Sequence, residues 1–254
     1  MNADTVIVIP ARYASTRYPG KPLALIAGRP MIQHVWERCG RVRTAARVLV
    51  ATDDERIVRA VAAFGGEAMM TPSELATGSE RVAWIAERVP GDTFVNVQGD
   101  EPLLPPETVD AVIRALRDSD ADIATAACPL RDPDQLANPN VVKLVTDVTG
   151  NALYFSRAGI PADRDRADAT GNHALPPGVY RKHIGIYAFR RAALLRFAAL
   201  PAGRLEQHEK LEQLRALEHG MRIRVVDVPA DSQAVDTPED KELVEALMID
   251  PRTR

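Results

Sequence analysis

The feature that most constrains the fold is a regular alternation of short apolar runs with longer amphipathic segments. The apolar runs are VIVI at 6–9, VLVA at 48–51, FVNV at 94–97 and IATAA at 123–127. Strands that alternate with helices in this way predict a mostly parallel β-sheet covered by helices. We therefore expect an α/β fold.

Helix signals between these runs support that expectation. Two apolar stripes at helical spacing follow prolines, and they predict covering helices; the stripes are Met31, Ile32, Val35, Trp36 and Cys39, then Val109, Val112, Ile113 and Leu116. Asp53 is placed to cap a further helix, and Thr237 to cap the last one. The predicted architecture is a Rossmann-like, mostly parallel twisted sheet.

The pattern changes between about residues 131 and 190. Strand-like pieces, VVKLV, ALYFS and IGIYAF, surround a polar tract, PADRDRADATGNHALPPG. Such a tract is typical of loops. We interpret the chain as one domain over 1–254, with an inserted lobe at about 131–190.

Composition limits the class of protein. The chain has 254 residues, 46% of them hydrophobic and 26% charged, with a net charge of −3. That balance is typical of a soluble globular protein and argues against a general nucleic-acid or membrane-surface binder. No apolar run approaches the length of a membrane span, so we expect a cytoplasmic protein. Cys39 and Cys128 lie in apolar contexts typical of buried, unpaired thiols.

The loop after the first apolar run is cationic. In VIVIPARYASTRYPGKP, residues 6–22, it carries Arg12, Arg17 and Lys21. Open α/β sheets bind ligands beyond the carboxyl ends of their strands, so a nucleotide's phosphates are expected here. The glycine-rich phosphate motifs are absent, and side-chain cations must carry much of the binding. The alternative, for any one of the three, is a solvated surface base.

A second polar loop follows the third run. VNVQGDEP places Asp100 and Glu101 just past a strand. Mg²⁺ often accompanies nucleoside triphosphates and needs only one or two carboxylates, so Asp100 is our first candidate metal ligand. An isolated Gly-Asp would instead indicate a strand-ending turn. Gln98 could read the edge of cytosine or satisfy backbone groups.

TGSER at 77–81 is the third candidate segment. Its hydroxyls and Arg81 could hold a phosphate or a pyrimidine edge, but Ser79 could simply cap a helix. Both roles stay open. His34, His173, His208 and His219 match no metal-ligand set and are interpreted as structural or surface residues.

Several separated blocks together resemble one enzyme family. The chain is similar, nearly end to end, to the cytidylyltransferases that activate 3-deoxy-D-manno-octulosonate (Kdo); the blocks are PARYASTRYPGKPLALIAGRPMIQHV, VATDD, TGSERVAW, VNVQGDEP, NPNVVK, ALYFSR, HIGIYAF, LEQLR and VDTPED. The resemblance implies transfer of CMP from CTP to the anomeric hydroxyl of Kdo, releasing pyrophosphate. It also implies a nucleotide-diphospho-sugar transferase fold, Mg²⁺ as cofactor, a homodimer and a role in lipopolysaccharide synthesis.

The resemblance also assigns residues to roles. Arg12 and Lys21 would bind the triphosphate with help from Arg17, and Asp236 of VDTPED would be the second metal ligand. Five residues would bind the acceptor sugar. Arg157 and His183 could bind its carboxylate, and the other three are Tyr187, Glu212 and Gln213. By default Glu212, on an amphipathic helix predicted over 205–219, would face solvent.

Small departures from the family pattern leave these groups in place. TGSER stands where SGTER is usual, LEQHEK replaces LEHIEM, and Ala234 replaces a glycine. The alanine requires negative φ in the loop next to Asp236.

The residues leave two other functions open. A CMP-sialate synthetase would share the fold and the CTP chemistry, and a non-catalytic nucleotide-binding protein would keep the pocket without turnover.

Overall fold

The computed structural model describes residues 4–14, 18–164 and 175–249. Strands and helices alternate along the chain as the apolar runs predict. In chain order the elements are β1 (Thr5–Ala11), a 3₁₀ turn (Lys21–Leu23), β2 (Leu25–Ile26), β3 (Arg29–Pro30), α1 (Met31–Cys39), β4 (Arg47–Thr52), α2 (Glu55–Ala63), β5 (Ala68–Met70), α3 (Gly78–Ala86), β6 (Thr93–Asn96), α4 (Pro106–Arg117), β7 (Ile123–Pro129), α5 (Pro133–Ala137), β8 (Lys143–Thr146), β9 (Ala152–Ser156), β10 (Arg181–Arg190), α6 (Arg191–Ala199), α7 (Arg204–Glu209), α8 (Gln213–Glu218), β11 (Ile223–Asp227) and α9 (Pro238–Ile249).

The main sheet has the order β11-β7-β10-β6-β1-β4-β5. Every neighbouring pair in that order is parallel except the two made by β10, which is antiparallel to both β6 and β7. The predicted α/β class with a mostly parallel sheet is therefore confirmed. The carboxyl ends of β1, β4 and β6 lie at one edge, as parallel pairing requires.

Strand β10 corrects one part of the predicted lobe. The segment 181–190, expected to belong to the insertion, lies in the middle of the main sheet between β6 and β7. The hairpin β8–β9 extends from it, through a pairing of Lys182 with Lys143. Its exposed tip carries Val148. A separate lobe within 131–164 and 175–180 stays a prediction, and much of the polar tract at its centre lies outside the described residues.

The hydrophobic core lies on both faces of the sheet. Alternate residues of β1 point to opposite sides, Val6 and Val8 into one cluster and Ile7 and Ile9 into the other. Helices α3, α6 and α8 cover the first face, and α1, α2 and α4 cover the second. Burial on both faces explains why the strand runs read as continuously apolar.

Two helix signals behave differently from the prediction. The cap of α2 is Asp54, which accepts from the amide of Arg56, and the predicted cap Asp53 instead faces two arginines. The helix expected over 205–219 is broken into α7 and α8, because Lys210 adopts left-handed geometry with φ 55°. The last helix begins after Thr237, as predicted; its hydroxyl accepts from the Asp240 amide.

The remaining expectations about packing concern cysteines and membrane spans. Cys39 and Cys128 are buried and unpaired, as predicted. Across the described ranges, no helix has both the length and the apolar character needed to cross a bilayer.

Candidate active site

A cavity of about 390 Å³ opens at the carboxyl edge of the sheet, where β1 and β6 end. Three segments line it, and each contributes two of the residues named here. The loop after β1 contributes Arg12 and Lys21, the start of α3 contributes Thr77 and Gly78, and the loop after β6 contributes Gln98 and Asp100. These segments are the three that the sequence singled out. The topology brings them to one place because β1 and β6 are parallel neighbours.

Lys21 forms the centre of a charge cluster in this cavity. Its Nζ donates to Asp100 Oδ2 at 2.7 Å and to the carbonyl of Val235 at 3.0 Å, and it lies 3.5 Å from Asp236 Oδ1. Lys21 is mostly buried, with 16% of its side chain exposed. One ammonium group thus holds together two carboxylates that come from distant parts of the chain.

Backbone geometry fixes these three groups. Gly20 has φ 72°, which glycine adopts without strain, and it starts the short turn that carries Lys21. A Cβ on Gly99 would lie 2.9 Å from the carbonyl oxygen of Pro10, so only glycine lets the loop after β6 approach β1 this closely. The amide of Val235 donates to the carbonyl of Asp100 and anchors the loop that carries Asp236.

Ala234 fits that loop. Among the described residues other than glycine, positive φ occurs only at Ala27 and Lys210. Alanine in place of the family's usual glycine therefore introduces no strain next to Asp236.

The two aspartates suit a magnesium ion. Among the described residues, no three His, Cys, Asp or Glu side chains cluster into a ready-made metal site. Mg²⁺ keeps several waters and takes further oxygens from substrate phosphates, so one or two protein carboxylates suffice. Asp100, which lines the cavity, and Asp236 offer that donor set, and both already share one cation.

Arg12 and Arg81 flank Asp53. Arg12 donates to the backbone carbonyls of Leu75 and Ala76 and lies 3.9 Å from Asp53. Arg81 is 1% exposed, and its Nη2 donates to Asp53 Oδ2 at 3.1 Å. Burial lowers the pKa of Arg81, and the Asp53 carboxylate opposes that shift. Arg81 thus braces the wall of the cavity, while Arg12, 40% exposed, also reaches its interior.

Other nucleotide-side candidates fall in different places. Ser79 is not a helix cap, because Thr77 caps α3 in a capping box with Glu80. The Gln98 side chain lines the cavity while its Nε2 donates to the carbonyl of Gly185, so both of its predicted roles remain. Arg17 lies outside the described residues.

A second, smaller group forms beside the sheet, where Tyr187 of β10 meets Glu212 and Gln213. Glu212 does not face solvent as its helix position suggested: its Oε2 accepts from Ser79 Oγ at 2.8 Å, and its buried Oε1 has no hydrogen-bond partner among the described residues. Burial raises the pKa of Glu212. Three of the five predicted acceptor residues thus lie together, and Ser79 connects them to the start of α3.

His183 lies next to this group but does not provide a cation. Its ring contacts Tyr187 at a centroid distance of 5.4 Å, and its Nε2 hydrogen-bonds Thr125 Oγ1 at 3.0 Å. Burial lowers the pKa of His183 to about 3, so the ring is neutral near pH 7. In this arrangement the ring offers a hydrogen bond and no charge, and its contact with the carboxylate of the acceptor stays a prediction.

Arg157 lies apart from Tyr187, Glu212 and Gln213. Its guanidinium donates to the backbone carbonyls of Pro139, Glu209 and Lys210. These bonds hold the end of β9 against α7, and they use three of the five N–H donors of the guanidinium. In this arrangement Arg157 supports the walls of the site.

Sequence reasoning missed two polar residues that complete the site. Asp53, assigned only to capping, lies between two arginines. Buried Asn96, the last residue of β6, has its Nδ2 3.5 Å from Ser79 Oγ. Both are at the carboxyl ends of parallel strands, a position that could have marked them as site residues.

Comparison with known proteins agrees with this geometry. The chain matches the cytidylyltransferase family over residues 6–223. A 3-deoxy-manno-octulosonate cytidylyltransferase of Pseudomonas fluorescens is 52% identical over 254 residues, covering 98% of this chain and 99% of that protein. One of Geobacter sulfurreducens is 49% identical over 240 residues, covering 93% and 96%.

Solved structures give the same result. CMP:2-keto-3-deoxy-manno-octonic acid synthetase complexed with CTP has a TM-score of 0.89 and 44% identity, covering 97% of this chain and 98% of that one. A 4-diphosphocytidyl-2C-methyl-D-erythritol synthase from Anaerococcus prevotii has a TM-score of 0.62 at 14% identity, covering 98% and 99%, and shares the fold alone. The chain therefore belongs to the cytidylyltransferase family, and within it to the 3-deoxy-manno-octulosonate cytidylyltransferases.

Proposed function

We propose that this protein transfers CMP from CTP to the anomeric hydroxyl of Kdo, giving CMP-Kdo and pyrophosphate. The observation that carries the proposal is the cluster in which Lys21 and Asp100, which line the cavity of about 390 Å³, meet Asp236. Relatives about half identical to the chain bear the name of this activity, and a structural neighbour was solved with CTP.

The reaction forms one P–O bond and breaks another. The oxygen of the sugar's C2 hydroxyl attacks the α-phosphorus of CTP and gives its proton to water, while the bond from that phosphorus to the departing pyrophosphate breaks. Mg²⁺ held by Asp100 and Asp236 would supply positive charge beside the phosphates and lower the pKa of the attacking hydroxyl. The chain's own contribution is positioning and electrostatic stabilisation.

We assign the nucleotide side to the basic groups of the loop after β1. Lys21 keeps the two carboxylates together and brings a positive charge to the triphosphate, and Arg12 and Arg17 add to it. Asp53 and Arg81 brace this wall. Gln98, at the end of the same cavity, is the candidate for the cytosine edge.

We assign the acceptor side to Tyr187, Glu212 and Gln213, with His183 behind them. The buried Glu212 Oε1 has no hydrogen-bond partner among the described residues, and a sugar hydroxyl would satisfy it. The apolar ring contacts around His183 support the wall of this part of the site.

The proposal extends to cellular context. We infer a homodimer working in the cytoplasm, with a product destined for lipopolysaccharide synthesis. The family relationship supports these statements.

The test is pyrophosphate release by the purified protein with CTP and Mg²⁺, comparing Kdo, sialic acid and no acceptor, with the nucleotide sugar identified by mass. Release with Kdo alone is the expected result. Release only with sialic acid would keep the CTP chemistry and overturn the acceptor. Binding of CTP without release under any condition would favour a non-catalytic nucleotide-binding protein.

A further inference from the structure

A second polar cavity, of about 420 Å³, lies between α1 and α4 on the outer face of the second core layer. Four arginines line it: Arg38, Arg41, Arg43 and Arg114. Its size is within the range of roughly 300–1,000 Å³ common for small-ligand sites. Nothing in the proposed reaction uses these side chains.

The arginines of this cavity form no ion pair within the part of the chain that the structure describes. No hydrogen bond or ion pair joins any of the four guanidinium groups to another described residue. Other arginines of the chain do find carboxylates: Arg29, Arg47 and Arg56 each pair with one within 3 Å. The four arginines of this cavity, unlike those three, present N–H donors that no described residue uses.

The acids nearby do not neutralise the cluster. Asp110 is buried and accepts from the amides of Arg43 and Thr44 and from the Thr44 hydroxyl, so its oxygens are already committed. Glu107 is exposed at the cavity, and together with Asp110 it sets two negative charges against four positive ones. A net positive concavity favours an anion that carries several charges.

Helix electrostatics accounts for only part of the arrangement. A cation in the last turn of a helix offsets the partial negative charge of the helix C-terminus, which explains Arg38 of α1 and Arg114 of α4. It does not explain why Arg41 and Arg43 of the loop after α1 line the same space. Burial lowers the pKa of Arg38, the nearby charge of Arg41 lowers it further, and Glu107 opposes these two effects.

We propose that the cavity between α1 and α4 is a second anion site that binds a polyphosphate, either inorganic or carried by a nucleotide, separately from the active-site cavity. The two cavities lie at opposite ends of α1. Met31, its first residue, lines the active site, and Arg38, in its last turn, lines the arginine cavity. Seven residues of helix separate them by roughly 10 Å. Guanidinium forks match phosphate oxygens in pairs, which suits this ligand.

The test is calorimetric titration of the full-length protein with pyrophosphate, in a Lys21→Ala background that weakens binding at the active site. We expect one ion to bind per chain in that background. Adding Arg41→Gln and Arg114→Gln together should weaken this binding at least tenfold, and each single change should weaken it by a smaller factor. Arg117→Gln, on the same helix but outside the cavity, is the matched control and should change nothing.

Titrations with CTP and with inorganic triphosphate in the same background separate the sources of the ligand. Equal binding of the two identifies free polyphosphate, and tighter binding of CTP identifies a nucleotide; both support the site. The proposal is overturned if the arginine variants bind pyrophosphate as the Lys21→Ala protein does. It is also overturned if they change the elution volume in size-exclusion chromatography without changing pyrophosphate binding, because the surface then belongs to a protein contact.

Discussion

Lys21 is ion-paired with the two carboxylates that the proposed reaction also needs. Its ammonium group reduces the repulsion between Asp100 and Asp236, which both lie within 3.5 Å of its Nζ. The resting arrangement therefore holds the two carboxylates side by side, where one metal ion could take an oxygen from each.

Replacing either aspartate by asparagine should remove turnover and keep the fold. Asp100→Asn and Asp236→Asn each delete one negative ligand with little change of shape, and we expect kcat to fall on the order of 10²-fold. The ion pairs that are lost are partly exposed, so their removal should cost at most about 1 kcal/mol of stability. The measurement is kcat against Mg²⁺ concentration, with a urea unfolding curve for each variant.

Asp227→Asn is the matched control, since Asp227 is an exposed carboxylate at the end of β11 that pairs with Arg181 and does not line the cavity. It should keep normal activity. Near-normal turnover of Asp100→Asn or Asp236→Asn at subsaturating Mg²⁺ would remove that residue from the metal site.

Lys21→Ala should affect CTP more than the sugar. Loss of the ammonium group removes a positive charge from the lining of the cavity, so we expect KM for CTP to rise about tenfold or more while KM for the acceptor stays nearly constant. Glu212→Ala should show the reverse pattern. Steady-state kinetics with each substrate varied separately distinguishes the two, and an unchanged CTP dependence in Lys21→Ala would contradict the phosphate role.

Lys241→Ala is the control for this change. Lys241 pairs with Glu245 on α9 and does not line the cavity, so its removal should leave both KM values unchanged.

At the scale of elements, the close approach of the loop after β6 to β1 decides whether the site forms. Gly99→Ala places a methyl group 2.9 Å from the carbonyl oxygen of Pro10, which belongs to a strand paired on both sides. The backbone cannot yield cheaply there, so we expect a loss of about 1–3 kcal/mol in the free energy of unfolding. Because Asp100 follows directly, kcat should also fall, by up to 10²-fold for a displacement of about 1 Å.

Urea denaturation and steady-state kinetics check this prediction. Gly40→Ala is its control, because Gly40 ends α1 with φ −66° and has only ordinary contacts around an added Cβ. That variant should be as stable as the parent or slightly more so. Equal stability of Gly99→Ala and the parent would show that the loop has more room than the structure indicates.

Local sequence patterns predicted those strands and helices that pack directly into the hydrophobic core. The apolar runs gave β1, β4, β6 and β7, and the proline-led stripes gave α1 and α4. They could not give the placement of β10, because antiparallel insertion between two parallel strands depends on the path of the chain through the hairpin β8–β9. Nor could they give the break at Lys210, where packing outweighs helix propensity.

The site shows the same division. The loop cations and Asp100 could be predicted as site residues, because each lies in a polar segment that directly follows an apolar strand. Asp236 lies 215 residues from Lys21, and spacing alone does not pair them; the family resemblance did. The neutral state of His183 and the buried position of Glu212 depend on neighbours from other elements, and no local pattern contained them.

At the scale of the whole molecule, the stability of the sheet depends on a neutral histidine in its central strand. His183 lies on β10, with its pKa lowered to about 3 by burial, whereas an exposed histidine in the unfolded chain titrates near 6.5. Below pH 6.5 the unfolded state binds a proton that the folded state excludes. Stability therefore falls as pH decreases from about 6.5 toward 3, and it is fully present above that window.

The size of this effect can be measured. For one such group, the free energy of unfolding should be about 2 kcal/mol lower at pH 5 than at pH 7. Buried His34, whose pKa is also lowered chiefly by desolvation, adds to the same slope. Urea unfolding of the parent and of His183→Gln at both pH values isolates the His183 contribution: the variant should be less stable at pH 7, yet lose less between pH 7 and pH 5. Parallel pH profiles for the two proteins would show that another group sets the acid sensitivity of the fold.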